Sequence, residues 1–322
     1  MASSIQLDGK TFPRIGYGAM GLSAFYGTAD PEQAKATLRR TIELGLMINT
    51  AVIYGPYTNE KLIGEVVAEG PRERAFVISK WGFDPEAFKV KGTPEFLHQS
   101  IDGSIERLGF KPDAYLQHRI DKDVPIEDSV KAMEEIRQAG KTKYIGLSEC
   151  SAETLRRASK VAKIDFIEIE VSPWTLDHFE NGVIDLAQEL GTIVLAYSPL
   201  GRGFLTGKLK PADLEKDDWR KSLPRTQQDV FEHNMKVVAE LEKIAQEKGC
   251  ATGQLCLAWL LAKRPNIVPI PGTRSIERVE ENLASKDIKL SEDDVKRIDQ
   301  VIAENKPKGD RYSADGMKTM DN

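Results

Sequence analysis

The sequence is poor in cysteine, and its only three cysteines, Cys150, Cys250 and Cys256, form no CxxC pair. An odd, sparse set predicts neither a disulfide framework nor a cysteine-ligated metal site, so we expect small buried hydrophobes. No run approaches the ~18 apolar residues of a transmembrane helix. The first residues also lack the basic and apolar regions of a secretory signal. These absences predict a cytoplasmic protein with no membrane partner.

An excess of positive charge is missing as well. The chain has 45 lysines and arginines against 50 acidic residues, a net charge of −5. Without a basic stripe, we expect no nucleic-acid partner. Neither G-x-S-x-G nor H-E-x-x-H occurs, so a serine hydrolase or a zinc protease has no anchor in the sequence. We expect no metal site, because the four histidines are scattered: His98, His118, His178 and His233.

A regular rhythm of short apolar runs is present instead, with amphipathic helical stretches between them. Eight such runs predict strands: Arg14–Gly18, Leu46–Thr50, Phe76–Lys80, Ala114–Gln117, Tyr144–Ser148, Phe166–Glu170, Ile193–Tyr197 and Asn266–Pro269. Most are apolar throughout, as expected for strands covered on both faces. Eight strand–helix units in one series favour an (α/β)8 TIM barrel over an open doubly wound sheet.

Three segments lie outside this repeat. Asp8-Gly9 is a strong turn signal, so residues 1–13 are predicted to form a β-hairpin that could close the barrel floor. Residues 201–229 are charged and irregular, which indicates an insertion loop over the active face. Residues 285–322 form a C-terminal extension with an extra helix. Because no composition shift marks a boundary, we interpret residues 1–322 as a single domain.

One glycine motif has two interpretations. Gly16, Gly18 and Gly21 match G-x-G-x-x-G after a strand, the pattern of a dinucleotide-binding Rossmann fold. In that fold the third glycine opens a helix, whereas here seven residues, LSAFYGT, directly follow Gly21 before the first helix, at Pro31. The context therefore favours a glycine-rich loop at the mouth of the first barrel strand.

Polar residues cluster at the carboxyl ends of the predicted strands, the edge that forms the active face of such barrels. They are Asn49, Lys80, His118, Ser148, Glu149, Glu168, Glu170, Tyr197 and Ser198, and Tyr54 follows five residues after Asn49. Each has an alternative structural role, since Lys80 could be a surface ion-pair residue and Tyr54 a core aromatic. Their common level in the barrel nevertheless predicts one shared active site.

A tyrosine, a lysine and a histidine together suit proton donation to a carbonyl oxygen. Free tyrosine has a pKa of about 10 and donates poorly at neutral pH unless a cation stabilises the tyrosinate. We expect Lys80 to supply that charge to Tyr54 and His118 to orient the carbonyl. Trp81, Arg119 and Trp174 lie close to strand ends in the sequence and are candidate walls of a substrate pocket.

With these residues the chain resembles the aldo-keto reductase superfamily over almost its whole length. The matching segments, in order, are NTAVIYG (49–55), NEKLIGE (59–65), ISKWG (78–82), YLQHRID (115–121), GKTKYIGLSECSAETLRRA (140–158), AYSPLGRGFLTGKL (196–209) and IPGTRSIERVEENL (270–283). The resemblance implies a barrel that binds NADPH without a Rossmann domain. It also implies transfer of hydride to an aldehyde or ketone, a small-molecule carbonyl substrate.

The resemblance also implies roles for individual residues. Tyr54 would be the general acid, Lys80 its charge partner and His118 the orienting group, with Asn49 beside the lysine. Ser148 and Glu168 would hold the nicotinamide carboxamide, and Tyr197 would stack on the ring. The Ser198–Arg202 loop would cover the pyrophosphate. The adenosine end would be bound by Gly272, Thr273, Arg274, Arg278, Glu281 and Asn282. An arginine near a 2′-phosphate fits NADP, because a guanidinium binds phosphate through two hydrogen bonds. The cofactor set is Met20, Ser148, Glu168, Tyr197, Ser198, Pro199, Leu200, Arg202, Gly272, Thr273, Arg274, Arg278, Glu281 and Asn282.

Two positions depart from the usual family pattern, which has aspartate at position 49 and glutamine at position 168. Both departures are similar to the fungal pyridoxal reductases, as are the Ile167–Glu170 strand, Gly309–Tyr312 and Asp218–Leu223. His118 and the Asn49–Ala51 stretch are closer to the general family. We therefore favour reduction of pyridoxal to pyridoxine. Because Asn49 brings no charge to Lys80, we expect Asn49→Asp to retain or increase activity.

Two alternatives stay open. The chain could be a broad reductase of aryl aldehydes and ketones, with pyridoxal only one of its substrates. It could also be an NADPH-binding regulatory subunit with little turnover, like the aldo-keto-reductase-like β subunits of potassium channels. Retention of Tyr54, Lys80 and His118 together counts against the second. For assembly, we expect a monomer or a weak homo-oligomer.

Overall fold

The chain begins with an antiparallel hairpin that covers one end of a barrel. The structure is a computed structural model and describes residues 3–23, 29–216 and 218–321. Strand β1 (Ser4–Leu7) pairs with β2 (Lys10–Pro13) around Asp8 and Gly9, both of which have positive φ. Leu7 and Phe12 pack into the apolar cluster formed by the first residues of the barrel strands. The predicted hairpin at the barrel floor is confirmed.

Eight parallel strands form the barrel, and all eight predicted strands are confirmed to within three residues. A short antiparallel pair, β6 (Phe83–Asp84) and β7 (Lys89–Val90), follows the third of them. Neighbours in the series pair in register from first to last. The barrel strands are β3 (Tyr17–Gly18), β4 (Met47–Asn49), β5 (Phe76–Trp81), β8 (Ala114–Gln117), β9 (Tyr144–Ser148), β10 (Phe166–Glu170), β11 (Ile193–Tyr197) and β12 (Ile267–Pro269).

The glycine motif lies where the first barrel strand meets the last. The Gly16 N–H donates to the Pro269 carbonyl at 2.9 Å, and the Gly18 N–H donates to the Pro271 carbonyl at 3.2 Å. These bonds join the first strand to the last. A Cβ at Gly18 would lie 2.8 Å from the Ile270 carbonyl oxygen, so only glycine permits this approach. The Rossmann alternative is wrong, because the motif serves strand contact inside a barrel.

We expect Gly18→Ala to destabilise the protein by about 1–3 kcal/mol, the usual cost of forcing an extra methyl into a close contact. The clash is with backbone, which cannot rotate away as a side chain could. Urea unfolding measures the change. Gly70→Ala is the matched control, because a Cβ there meets nothing within 4 Å. Equal stability of the two variants would contradict this account of barrel closure.

Helices alternate with the strands on the outside of the barrel. Their starts follow local sequence signals: Asp30 accepts from the N–H groups of Glu32 and Gln33 at 2.8 and 3.0 Å, and Pro31 occupies the first turn. The helices are α1 (Pro31–Glu43), α2 (Thr58–Val67), α3 (Pro94–Leu108), α4 (Ile126–Gln138), α5 (Ala152–Val161), α6 (Asp177–Glu180), α7 (Val183–Glu189), α8 (Gln228–Glu247), α9 (Thr252–Lys263), α10 (Ile276–Ala284), α11 (Glu292–Glu304) and α12 (Ala314–Lys318).

The segments after β11 and after α10 reach the carboxyl ends of the strands. Between β11 and α8 the chain forms short 3₁₀ turns, at Gly201–Thr206, Pro211–Asp213, Trp219–Ser222 and Pro224–Thr226. The C-terminal extension contains α11, which confirms the predicted extra helix, and then passes Arg311 and Tyr312 before α12. None of the helices in the described ranges is both long and apolar enough to cross a membrane.

Candidate active site

Four predicted catalytic residues meet at the carboxyl ends of neighbouring strands. Asn49 ends β4, Lys80 lies near the end of β5, and His118 directly follows β8. Tyr54 comes from the loop between β4 and α2. Parallel pairing aligns these strand ends at one edge of the sheet. The barrel therefore brings together residues that are up to 69 positions apart in the sequence.

The Lys80 ammonium lies at the centre of this group and is fully buried. Its Nζ lies 2.6 Å from Asn49 Oδ1, 2.9 Å from the Thr50 carbonyl oxygen and 3.2 Å from the Tyr54 hydroxyl. A fourth neighbour is Glu168, whose Oε1 lies 3.2 Å from the same nitrogen. The sequence predicted the contacts of Lys80 with Asn49 and Tyr54, and it missed the ion pair with Glu168.

Asn49 bridges the two charged groups. Its Oδ1 accepts from Lys80, while its Nδ2 donates to Glu168 Oε2 at 2.6 Å. Asn49 and Glu168 are 2% and 3% exposed, so solvent does not screen the arrangement. The signal that could have revealed it was in the sequence: the two departures from the family pattern replace one acid by an amide and one amide by an acid.

Tyr54 is protonated in this environment. Burial raises the pKa of its hydroxyl well above the ordinary value, the Glu168 carboxylate raises it further, and Arg119 acts in the opposite direction. The role of Lys80 as the charge partner of Tyr54 stays a prediction, and the Glu168 anion lies against the same lysine. Burial also lowers the pKa of Lys80, and Glu168 opposes that shift.

His118 is neutral beside this cluster. Burial, followed by the positive charges of Lys80 and Arg119, holds its pKa well below the ordinary value. Its ring meets the Tyr54 ring edge-on, with centroids 5.8 Å apart. A neutral imidazole has one N–H donor and one acceptor nitrogen. It can therefore donate one hydrogen bond that orients a carbonyl oxygen.

The three candidate pocket residues differ in the polar groups that a ligand could contact. Trp81 and Trp174 are buried, and within the described ranges their indole N–H groups have no hydrogen-bond partner. Arg119 donates to the His118 carbonyl at 2.9 Å. Its charge reaches Tyr54 and Tyr197. No carboxylate of the described residues lies within 4 Å of its guanidinium, and Glu149 acts on the pKa of Arg119 only from a longer distance.

The residues predicted to hold the nicotinamide end lie on adjacent strands. Ser148 ends β9 and is paired in register with Glu168 on β10. The buried Ser148 hydroxyl has no hydrogen-bond partner in the part of the chain that the structure describes. Tyr197 ends β11, and its hydroxyl lies 3.0 Å from that of Tyr312. Ser198, with φ of 48°, begins the loop that continues through Pro199 and Leu200.

The residues predicted to hold the adenosine end lie around the start of α10. The Tyr17 hydroxyl donates to the Thr273 carbonyl at 2.6 Å, and Arg274 Nε donates to the Gly21 carbonyl at 2.7 Å. These bonds fix the segment against the first barrel strand. Gly272, Arg278 and Glu281 are exposed, whereas Asn282 is buried. Met20 packs instead beside the Tyr54 site, against the apolar cluster of Ala51, Ile53 and Tyr54.

Arg202 lies in a different environment from the one its predicted phosphate contact would require. Its guanidinium donates to Glu170 at 3.0 Å and to the Arg311 carbonyl at 2.6 Å. It also lies over the rings of Trp219 and Tyr312, at 4.9 and 4.5 Å from their centroids. A buried guanidinium needs a nearby anion, and Glu170 supplies it. The phosphate contact of Arg202 stays a prediction that these contacts do not support.

Arg311 is an active-face residue that the sequence did not reveal. Its side chain is 2% exposed, and its Nη1 lies 3.2 Å from Glu149 Oε2 and 4.0 Å from Glu170 Oε2. Burial acts to raise the pKa of Glu149, but His178 and Arg311 outweigh it and hold that pKa below its ordinary value. The sequence showed Gly309–Tyr312 only as a resemblance, with no sign of its partners.

Comparisons with known proteins identify the family of the chain. The model of the aldo/keto reductase family matches residues 14–303. An aldo-keto reductase of Gibberella moniliformis is 38% identical over 327 residues, covering 99% of each chain. The aldo-keto reductase yakc (NADP(+)) of Schizosaccharomyces pombe is also 38% identical, covering 95% of this chain and 93% of its own.

A solved structure has the same architecture. The glycerol dehydrogenase of Gluconobacter oxydans superposes with a TM-score of 0.84 at 25% identity, covering 96% of this chain and 98% of that one. The family match spans the barrel and the residues around Lys80, and two of the relatives are aligned over nearly their full lengths. The chain belongs to the aldo/keto reductase family.

Proposed function

We propose that the chain is an NADPH-dependent reductase that converts pyridoxal to pyridoxine. The reductase part follows from the buried Tyr54–Lys80 pair beside a neutral His118. The choice of pyridoxal rests on one observation: the Arg119 cation forms no ion pair within 4 Å among the described residues and lies within electrostatic reach of Tyr54.

The residues present fit NADPH. The buried Ser148 hydroxyl lacks a partner within the described ranges and can bind the carboxamide. Glu168 accepts only, so it suits the amide N–H of that group. Arg274 and Arg278 lie at the start of α10, where backbone N–H groups and cations favour a phosphate. The name of the S. pombe relative includes NADP(+), which supports the same cofactor. When bound, NADPH supplies the hydride that reduces the carbonyl carbon.

The chain's own residues supply the proton. Lys80 carries no lone pair when protonated, so its N–H donates to the Tyr54 oxygen across 3.2 Å. The Tyr54 proton is then free to point away from the lysine and towards a carbonyl oxygen. His118 can donate its single N–H to the same oxygen and hold it in place. Tyr54 protonates the oxygen as the carbonyl is reduced.

Arg119 favours a substrate with an anionic oxygen near the aldehyde. In pyridoxal, the ring carbon next to the aldehyde-bearing carbon carries a hydroxyl that is ionised at neutral pH. A guanidinium forms strong hydrogen bonds with such an oxygen. An aryl aldehyde without that group gains nothing from Arg119. The position of this cation therefore supports pyridoxal over a simple aryl aldehyde.

We expect Arg119→Gln to lower the ratio of kcat/KM for pyridoxal to kcat/KM for 4-nitrobenzaldehyde by about 10- to 100-fold, the worth of a hydrogen bond to a charged group. Arg119→Lys is the matched control, because it keeps the charge and should retain part of the preference. Steady-state kinetics at saturating NADPH measure the ratios. A wild-type protein that prefers the nitrobenzaldehyde, or an unchanged ratio in Arg119→Gln, would leave the broad reductase as the better proposal.

A regulatory subunit without turnover is separated by a single-turnover experiment. Protein loaded with NADPH is mixed with excess aldehyde, and oxidation is followed by absorbance. The buried proton-donating cluster supports rapid oxidation. No oxidation above background with any aldehyde would favour the regulatory function instead.

A further inference from the structure

We infer that Glu168 is the counter-charge that keeps Lys80 protonated, and that Asn49 is the neutral bridge which lets a single carboxylate do so. In this arrangement Glu168 and Asn49 are positioning residues. They act through Lys80 on the direction of the Tyr54 proton. The inference assigns one joint role to two side chains that are 119 positions apart in the sequence.

The charge balance around Lys80 is the first argument. Of the four groups within 3.2 Å of its Nζ, Asn49, the Thr50 carbonyl and Tyr54 are neutral, and only Glu168 is charged. A fully buried ammonium without a counter-ion would lose its proton, because burial disfavours the charged form. Glu168 is equally buried and needs a cation for the same reason. The two charges make the buried cluster neutral as a whole.

The direction of the Tyr54 hydroxyl is the second argument. A protonated Lys80 can only donate, so the Tyr54 oxygen accepts and its own hydrogen points elsewhere. A neutral amine has a lone pair and would accept the Tyr54 hydrogen at the same 3.2 Å distance. The hydroxyl would then be turned away from the substrate. Keeping the charge on Lys80 therefore keeps the acid in its donating orientation.

Asn49 is the third argument. Its amide nitrogen donates to Glu168 and its amide oxygen accepts from Lys80, so Asn49 fixes the two charged groups relative to each other. An aspartate here would bring a second carboxylate to about the 2.6 Å that separates Asn49 Nδ2 from Glu168 Oε2. Two carboxylates this close cannot both ionise without a large cost. This reverses our expectation that Asn49→Asp retains or increases activity.

The other charged and titratable groups around Lys80 make its protonation depend on Glu168. Arg119, from the segment after β8, lowers the pKa of Lys80, and Lys80 in turn lowers that of the neighbouring His118. Tyr54 faces the lysine from the loop after β4. None of these three supplies a negative charge at neutral pH. Among the residues that the structure describes, removal of the Glu168 charge therefore leaves Lys80 with positive or neutral neighbours.

The test is a charge-exchange cycle with three variants: Glu168→Gln, Asn49→Asp and the double variant. The double variant returns one carboxylate to Lys80, from position 49 instead of 168. We expect Glu168→Gln to lower kcat for 4-nitrobenzaldehyde by about 10- to 100-fold at neutral pH, within the usual range for impaired acid catalysis. The alkaline limb of its pH profile should move to lower pH, because Lys80 loses its proton earlier. Asn49→Asp should also be slower, and the double variant should recover most of the lost rate.

A second readout needs neither cofactor nor turnover. Thermal unfolding of the cofactor-free protein should show a lower Tm for each single variant and a Tm near the wild-type value for the double variant. The Tm loss of Asn49→Asp should shrink at acid pH, where its carboxylate pair takes up a proton. Coupling of this kind between two contacting residues appears as strong non-additivity in the cycle.

The outcomes distinguish this inference from the proposed function. The kinetic measurements rest on the proposed function, whereas the unfolding measurements do not. Single-variant losses that simply add in the double variant would overturn the inference, as would a Glu168→Gln pH profile identical to the wild type. If Glu168→Gln fails to fold, the double variant decides: folding restored by the aspartate supports the pair, and failure to fold contradicts it. A wild-type protein without turnover would contradict the reductase proposal, and the unfolding measurements would still test the inference.

Discussion

Replacing Tyr54 with phenylalanine should lower kcat for aldehyde reduction by about 10²- to 10⁴-fold, the range typical of losing a general acid. The phenyl ring keeps the packing against Ala51 and Ile53, so the change removes one hydroxyl and little else. That hydroxyl is the group that Lys80 contacts at 3.2 Å. His118 is a poor replacement as the proton donor, because its pKa is lowered.

The measurement is steady-state kinetics at saturating NADPH, with NADPH affinity followed by fluorescence. We expect the dissociation constant of NADPH to change little, because the Tyr54 hydroxyl acts on the carbonyl substrate. Tyr57→Phe is the matched control: its ring lies under the Arg107 guanidinium, 4.6 Å from the centroid, and it too loses only a hydroxyl. A Tyr54→Phe protein as fast as Tyr57→Phe would show that the acid is another group.

Replacing Arg311 with methionine should destabilise the protein by about 3–5 kcal/mol, the usual cost of removing one partner from a buried ion pair. Methionine keeps an unbranched apolar stem and removes the charged guanidinium. Glu149 and Glu170 would then remain buried, and Glu149 would lose its contact with the Arg311 guanidinium. Arg202 still pairs with Glu170 at 3.0 Å, so Glu149 carries most of the penalty.

Urea unfolding at several pH values tests this prediction and its cause. The pKa of Glu149 is depressed in the folded protein, so its ionised form contributes stability above the unfolded-state pKa of about 4.3, which is lost as the pH falls through the folded-state value. The penalty of Arg311→Met should therefore be largest near neutral pH and smaller in acid. Arg297→Met is the control, because the exposed pair of Arg297 with Glu247 should contribute less than about 1 kcal/mol. Equal losses in the two variants would contradict a buried ion pair.

Much of the fold and part of the site could be predicted from the sequence. Runs of apolar residues fix where strands begin and end, and a series of eight leaves closure as the simplest arrangement. Once the strands are parallel, their carboxyl ends share an edge. Asn49, Lys80 and His118 could therefore be grouped before any coordinates were known.

The contacts that tune the site could not be predicted in the same way. The Glu168 carboxylate lies against Lys80 because of side-chain direction and depth on β10, and neither is encoded in strand periodicity. The partners of Arg311 depend on how the C-terminal segment returns across the barrel, since Glu149 is 162 positions away. Arg202 was expected to face a phosphate, but its left-handed backbone, with φ of 58°, accompanies a side chain that pairs with Glu170.

The long separation between Glu149 and Arg311 has a consequence for synthesis. At about 5–20 residues per second, the ribosome adds the 162 intervening positions in roughly 8–32 seconds. During that interval every strand of the barrel has been made, yet the anion at its upper edge still lacks its principal cation. The buried ion pair between Glu149 and Arg311 can therefore form only after every strand of the barrel has been synthesised.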